Sequence, residues 1–174
     1  LHRRQRQMCI RDSAFMNLEG DKISTSRNWA VWVNEFLSEF PGKSDELRYV
    51  LASIMPEQKD SEFTWADYRD RVNNELADVL GNFVNRVLVL TRKYYEGSVP
   101  AVSEADLNEA DRDVLEALSA APAQIADLIR RNRFRDALQA AMGIARLGNK
   151  YMTEQEPWKA YKTDPERTCL LYTS

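Results

Sequence analysis

Histidine and cysteine are nearly missing from this 174-residue chain, which holds one histidine and two cysteines, and all three lie near its ends as His2, Cys9 and Cys169. So few thiols and imidazoles exclude a disulfide framework and a zinc cluster. No apolar run reaches the roughly 18 residues that a membrane-spanning helix needs. Nor does a hydrophobic segment follow a basic N-terminus, as a secretory signal would. Positive charge is not in excess: 24 Lys and Arg stand against 27 Asp and Glu, a net formal charge of -3. What is there is 44% apolar and 29% charged residues at a mean hydropathy of -0.54. That is the composition of a globular chain of one domain or slightly more, with no membrane partner.

The two ends look like forward and reverse translations of one sequencing-library adapter. The N-terminal run is Met8-Cys9-Ile10-Arg11-Asp12-Ser13 and the C-terminal one Cys169-Leu170-Leu171-Tyr172-Thr173-Ser174. Residues 1–13 and 168–174 are therefore read as processing scars and set aside. Ala14 to Arg167 then contains neither histidine nor cysteine, which excludes histidine bases, cysteine nucleophiles and thiolate metal sites. Without the scars the chain keeps 20 basic and 26 acidic residues, a net formal charge of -6. Any nucleic-acid site must be a local patch on an acidic body.

Ala14 to Asn28, with Gly20 and the hydroxyl run Ser24-Thr25-Ser26, reads as a loop. Helical spacing begins with Trp29, Trp32, Val33, Phe36, Leu37 and Phe40 and stops at Pro41-Gly42. A second short helix over about Ser44 to Ile54 turns Leu47, Val50, Leu51 and Ile54 inward, with Pro56 beyond it. Thr64 is placed to cap a long helix, with Asp67 three residues on. Tyr68, Val72, Leu76, Val79, Leu80, Phe83, Val84, Val87 and Leu88 then keep helical period to about Tyr95, a rod of roughly 45 Å. Gly97 and Pro100 end it. Ser103 with Asp106 opens a polar stretch, and Val114, Leu115, Leu118, Ile125, Leu128 and Ile129 resume the period. Pro122 is expected to kink or split that helix. A last helix carries Phe134, Ala137, Leu138, Ala141, Ile144, Ala145, Gly148 and Tyr151, a face of small residues that allows close approach. No strand-period run appears, so the class is all-α: a loop and small helical connector, then an antiparallel bundle.

Four groups of residues carry candidate chemistry. Asp21-Lys22-Ile23-Ser24-Thr25-Ser26-Arg27 puts cations and hydroxyls on a loop before a helix start, equipment for closing on a polyphosphate or simply a solvated loop whose Ser26 or Asn28 caps the helix. Asn82 and Arg86 lie four residues apart, to one side of the apolar stripe. An amide and a planar guanidinium can read an unstacked base edge, or serve as an ordinary solvated face. Trp158, after Pro157 in Glu154-Gln155-Glu156-Pro157-Trp158, can stack on a base or close the end of the bundle. Arg130-Arg131-Asn132-Arg133-Phe134-Arg135 is the densest basic cluster, suited to a phosphate backbone or to the C-terminal end of a helix dipole.

In this order the pieces resemble the methionyl-tRNA synthetases, a family of class I aminoacyl-tRNA synthetases, over nearly all of residues 14–167. Leu18-Glu19-Gly20-Asp21-Lys22-Ile23-Ser24-Thr25-Ser26 is similar to the KMSKS signature with its lead-in, and Asp45-Glu46-Leu47-Arg48-Tyr49-Val50-Leu51 to the connector helix that follows. Gly81-Asn82-Phe83-Val84-Asn85-Arg86 and Asn149-Lys150-Tyr151-Met152-Thr153-Glu154-Gln155-Glu156-Pro157-Trp158 resemble the two anticodon-reading elements. The resemblance implies a ligase that forms methionyl-adenylate from methionine and ATP, with Mg2+, and passes the methionyl group to methionine tRNA. By the same analogy Lys22, Ser24 and Ser26 are catalytic residues of an ATP-binding loop, Lys22 to Ser26. Asn82, Arg86 and Trp158 read the CAU anticodon. Thr25 stands where the signature has its second lysine.

The resemblance also sets expectations for organisation: the KMSKS loop and connector at 14–62, a helical anticodon-binding domain at 63–167 lacking its last helix, and a cytoplasmic location. The nucleotide-binding body with its HIGH-type signature, the methionine pocket and any zinc site are expected before residue 14, so that this stretch is inert alone. A homo-oligomer is expected only if a further C-terminal domain exists. The competing readings are a free-standing helical RNA-binding module, a helical interaction protein, and another class I synthetase of the isoleucyl, valyl, leucyl or cysteinyl type.

Overall fold

The computed structural model describes residues 14–57, 59–98 and 107–159. The adapter-like ends, Pro100 and the Ser103–Asp106 signal lie outside the described residues.

Strands β1 (Met16–Leu18) and β2 (Asp21–Lys22) pair antiparallel. The two-residue turn between them, Glu19-Gly20, has φ of 49° and 82°, the left-handed pair that matches the twist of a hairpin. Strand β3 (Ser61–Phe63) joins β1 in parallel, giving the order β2-β1-β3. The fold is thus mostly helical with a small three-stranded sheet, which corrects the all-α expectation and the reading of residues 14–28 as loop. Strands of two or three residues are too short to display a period of two. They form because Leu18 and Phe63, both buried, dock in the first core.

That core joins Leu18, Phe36, Leu47, Val50, Ile54 and Phe63 from the sheet and from helices α1 (Val33–Glu39) and α2 (Ser44–Ser53). Each such side chain contributes about 1.5–3 kcal/mol by leaving water. Helix α1 starts later than its apolar spacing suggested, because Trp29 is held in a bridge with Ser24 and Trp32 is the extended residue before the first turn.

Thr64 does cap helix α3 (Trp65–Arg71), its Oγ1 accepting from the Asp67 N–H at 3.0 Å. The helix then runs on as a π-helical segment (Val72–Gly81) and as α4 (Asn82–Tyr95), ending at Glu96 and Gly97 with φ of 55° and 85°. The expected rod is present, but its middle is wound differently. A π turn takes in more residues than an α turn, so a 3.6-residue projection loses phase beyond Val72. Consequently Leu80, Val84 and Leu88, expected to point inward, are exposed, Leu88 to 64%.

Helix α5 (Glu109–Arg130) opens with a capping box between Asn108 and Asp111 and is not split at Pro122. The proline is exposed, where water can serve the carbonyl that lost its N–H partner. A short turn with Asn132 at φ 57° leads into α6 (Phe134–Gln155). Tyr151, near the end of α6, donates to the fully buried Asp111 near the start of α5, so the two helices run in opposite directions. Gly148 on α6 faces α4 so closely that a Cβ there would sit 2.3 Å from the Phe83 ring. Among the described residues no helix is long and apolar enough to cross a membrane.

Candidate functional site

The Lys22–Ser26 loop is a small closed structure. Ser24 and Trp29 exchange two backbone hydrogen bonds of 2.9 and 2.8 Å, and Asn28 N–H donates to Thr25 O across the turn between them. Asn28 takes φ 53°. Both indoles secure the base of the loop, Trp29 Nε1 donating to Leu18 O at 3.0 Å and Trp32 Nε1 to Asn28 Oδ1 at 2.8 Å. Above that base the groups of interest face solvent: Ile23, Thr25 and Ser26 are exposed, and Ser24 is half-buried with its Oγ 3.2 Å from that of Ser26. Lys22, exposed on β2, holds its Nζ 5.5 Å from the centroid of the Phe15 ring. Hydroxyls and two cations, Lys22 and Arg27, are thus presented on a loop whose ends are fixed, the Arg27 Nη2 donating to Lys22 O at 3.4 Å.

The second group is assembled from α4 and the end of α6. Asn82 is the first residue of α4, exposed, and Arg86 sits one turn further on, the spacing that makes neighbours on a helix surface. Arg86 does not simply point outward, as the stripe geometry suggested. It leans across to α6, its Nη1 donating to Asn149 Oδ1 at 3.4 Å and its Nη2 to Thr153 Oγ1 at 3.4 Å. Trp158 reaches the same place because the chain reverses at Glu156, with φ 42°, and the next residue, Pro157, is fully buried. A short helical turn then sets the half-buried indole beside α4, with the Arg86 guanidinium carbon 5.7 Å from its ring centroid, within cation–π range. Asn82, Arg86 and Trp158 therefore form one surface.

Two sets of contacts were not read from sequence, one at this surface and one away from it. Asn149 and Thr153, four residues apart on α6, bind Arg86; their spacing was visible, but only tertiary contact shows which residue they face. The other lies between two helical elements: Tyr49 on α2 donates to Glu75 in the π-helical segment. Burial, and then the Glu75 carboxylate, hold the Tyr49 phenol well above the ordinary tyrosine range. In the Arg130–Arg135 cluster, by contrast, two of the four arginines are paired locally, Arg131 with Asp127 at 2.9 Å and Arg133 with Asp136 at 2.6 Å. Among the described residues no group of three or more histidines, cysteines or carboxylates could hold a metal ion.

Residues 4–88 match the family model described as tRNA synthetases class I (M). The chain, with this loop ahead of a helical region, belongs to the class I aminoacyl-tRNA synthetases. Residues 99–172 match the model described as the anticodon binding domain of methionyl tRNA ligase. Over 162 residues the chain is 55% identical to the methionine–tRNA ligase of Bacteroides fragilis (strain YCH46), covering 93% of this chain and 24% of that protein. It is 58% identical over 157 residues to that of Cytophaga hutchinsonii, covering 90% of this chain and 22% of that protein. Its fold matches Mycobacterium tuberculosis methionyl-tRNA synthetase in complex with methionyl-adenylate at a TM-score of 0.80 and 25% identity, over 91% of this chain and 31% of that one. Within its class the chain belongs to the methionine–tRNA ligase family, and it spans less than a quarter of the length of the two relatives named.

Proposed function

We propose that this chain is the part of an ATP-dependent methionine–tRNA ligase that runs from the phosphate-closing loop into the anticodon reader, working in the cytoplasm on methionine, ATP with Mg2+, and methionine tRNA. The loop and connector occupy residues 14–62 and the anticodon-binding domain residues 63–167, its helices forming an antiparallel bundle of the class I type. Any zinc belongs to residues outside this stretch.

In the first step the methionine carboxylate attacks the α-phosphorus of ATP, forming methionyl-adenylate and releasing pyrophosphate. Lys22 and the hydroxyls of Ser24 and Ser26 offset the negative charge that builds on the departing oxygens. Backbone N–H groups of the turn, Ile23 and Thr25 among them, add fixed dipoles. In the second step a hydroxyl of the terminal adenosine attacks the methionyl carbonyl and AMP leaves. The anticodon surface acts at a distance from this chemistry, by holding the correct tRNA. Trp158 stacks on the first anticodon base, while Asn82 and Arg86 form hydrogen bonds to base edges.

The observation that carries this reading is the meeting of Arg86 and Trp158, far apart in sequence and 5.7 Å apart in space, with Asn82 one turn away. A lone solvated helix face does not account for an indole brought to it by a separate chain reversal. The test uses the full-length enzyme. Trp158→Ala and Arg86→Ala should each lower kcat/KM for methionine tRNA, the tryptophan change by about 5- to 150-fold from lost stacking. Methionine-dependent pyrophosphate exchange should stay near the wild-type rate. Variants that charge methionine tRNA normally would remove the anticodon assignment.

A further inference from the structure

Arg86 is the flexible member of the reading surface, and what fixes it is on the neighbouring helix. The side chain of Asn149 is used at both ends. Its Nδ2 donates to the backbone carbonyl of Val79 at 2.9 Å, and its Oδ1 faces Arg86 Nη1 at 3.4 Å. The first bond decides the second, because an amide whose NH2 is committed to a carbonyl must present its oxygen to the other side. Val79 lies near the end of the π-helical segment, where Asn82 N–H still reaches back five residues to the Ala77 carbonyl. Asn149 therefore secures the join at which α4, and with it Asn82 and Arg86, begins.

Thr153 works in the same sense. Its hydroxyl hydrogen is used on Asn149 O at 2.8 Å, which leaves oxygen lone pairs towards Arg86 Nη1 and Nη2 at 3.5 and 3.4 Å. Both acceptors are neutral. They direct the guanidinium without cancelling its charge, and at these distances the bonds are long enough to be re-aimed when a ligand arrives.

We propose that Asn149, assisted by Thr153, is a positioning residue for tRNA recognition: it couples the π-helical segment to the guanidinium of Arg86 and holds that group over Trp158 for an incoming anticodon base. This rests on the anticodon reading proposed above. The role is one of orientation, since Asn149 acts on the nucleic acid only through Arg86.

The experiment is a double-mutant cycle in the full-length enzyme, with methionine tRNA charging and methionine-dependent pyrophosphate exchange measured side by side. Asn149→Leu should lower kcat/KM for the tRNA about tenfold, mostly through KM, as one hydrogen bond to a charged group is lost. Pyrophosphate exchange should be unaltered, which also reports that the enzyme is folded. In an Arg86→Ala background Asn149→Leu should add almost nothing. Asn149→Asp keeps an oxygen towards Arg86 but loses the donor to Val79 and adds a charge that cancels the guanidinium, so it should charge tRNA no better than the leucine variant. A leucine variant that charges normally, one whose effect is undiminished when Arg86 is absent, or an aspartate variant that charges like the wild type would each overturn the proposal. If Arg86→Ala itself charged tRNA normally, the anticodon reading would fall and the positioning role with it. That outcome is distinct from a harmful Arg86→Ala with a silent or additive Asn149→Leu, which removes the positioning role alone.

Discussion

At the scale of single residues, Thr25 is the departure with the clearest chemical meaning. The related signature has a lysine there, and in this chain the position is an exposed residue in the turn between Ser24 and Asn28. A lysine can occupy it without displacing buried atoms, and its ammonium would add to the cationic field at the loop. Thr25→Lys in the full-length enzyme is therefore expected to leave methionine-dependent pyrophosphate exchange unchanged or faster. A clear fall in that rate would count against the phosphate-closing role. The identity of these candidates was readable from sequence, because hydroxyls, a lysine, an amide, a guanidinium and an indole are chemically conspicuous. Their partners were not. Nothing in the string around Asn149 says that its amide would lie between Val79 and Arg86, since that follows from how two helices meet.

At the scale of elements, the period of 3.6 residues made most helices legible, and the failures have separate physical causes. The hairpin Met16–Lys22 was missed because its strands are shorter than one useful repeat, although the glycine in Glu19-Gly20 was a turn signal. The phase of α4 was misjudged because the π-helical segment intervenes, and π winding leaves no simple mark on an apolar pattern. Pro122 does not split α5, as an exposed face can tolerate a missing N–H. The contact between α2 and the π-helical segment supports a pH prediction. The fold keeps the Tyr49 phenol protonated, mainly through burial and then through Glu75, whereas an unfolded tyrosine ionises near pH 10. Stability from this source is complete below about pH 10 and is lost as the pH climbs from there towards the raised folded value. Thermal midpoints of the full-length protein should fall on the alkaline side, and less steeply in Tyr49→Phe. Tyr68, also raised by burial, leaves a remaining slope. Equal slopes for the two proteins would dissociate Tyr49 from the alkaline loss.

At the scale of the whole molecule, the chain carries a net formal charge of -3, so the tRNA binding proposed for it has to come from local groups and not from the body as a whole. That fits a reader built from neutral acceptors around one guanidinium and an indole, which selects bases more than it gathers phosphates. The chain spans less than a quarter of its named relatives. The chain by itself is accordingly expected to show no methionine-dependent pyrophosphate exchange, while the full-length protein shows it. Exchange by the isolated chain above the rate of a Lys22→Ala control would mean that the loop and connector hold more of the chemistry than assigned.

The two reciprocal backbone bonds between Ser24 and Trp29 have a thermodynamic corollary. A strand of chain that is free until a nucleotide arrives forfeits part of its binding energy in becoming immobile. Here the arc from Thr25 to Asn28 is tethered at both feet and braced by two indoles, a stiff hoop with little freedom left to lose. In the role proposed for this loop, more of the attraction to a triphosphate is thereby kept for the moment when charge shifts between its oxygens.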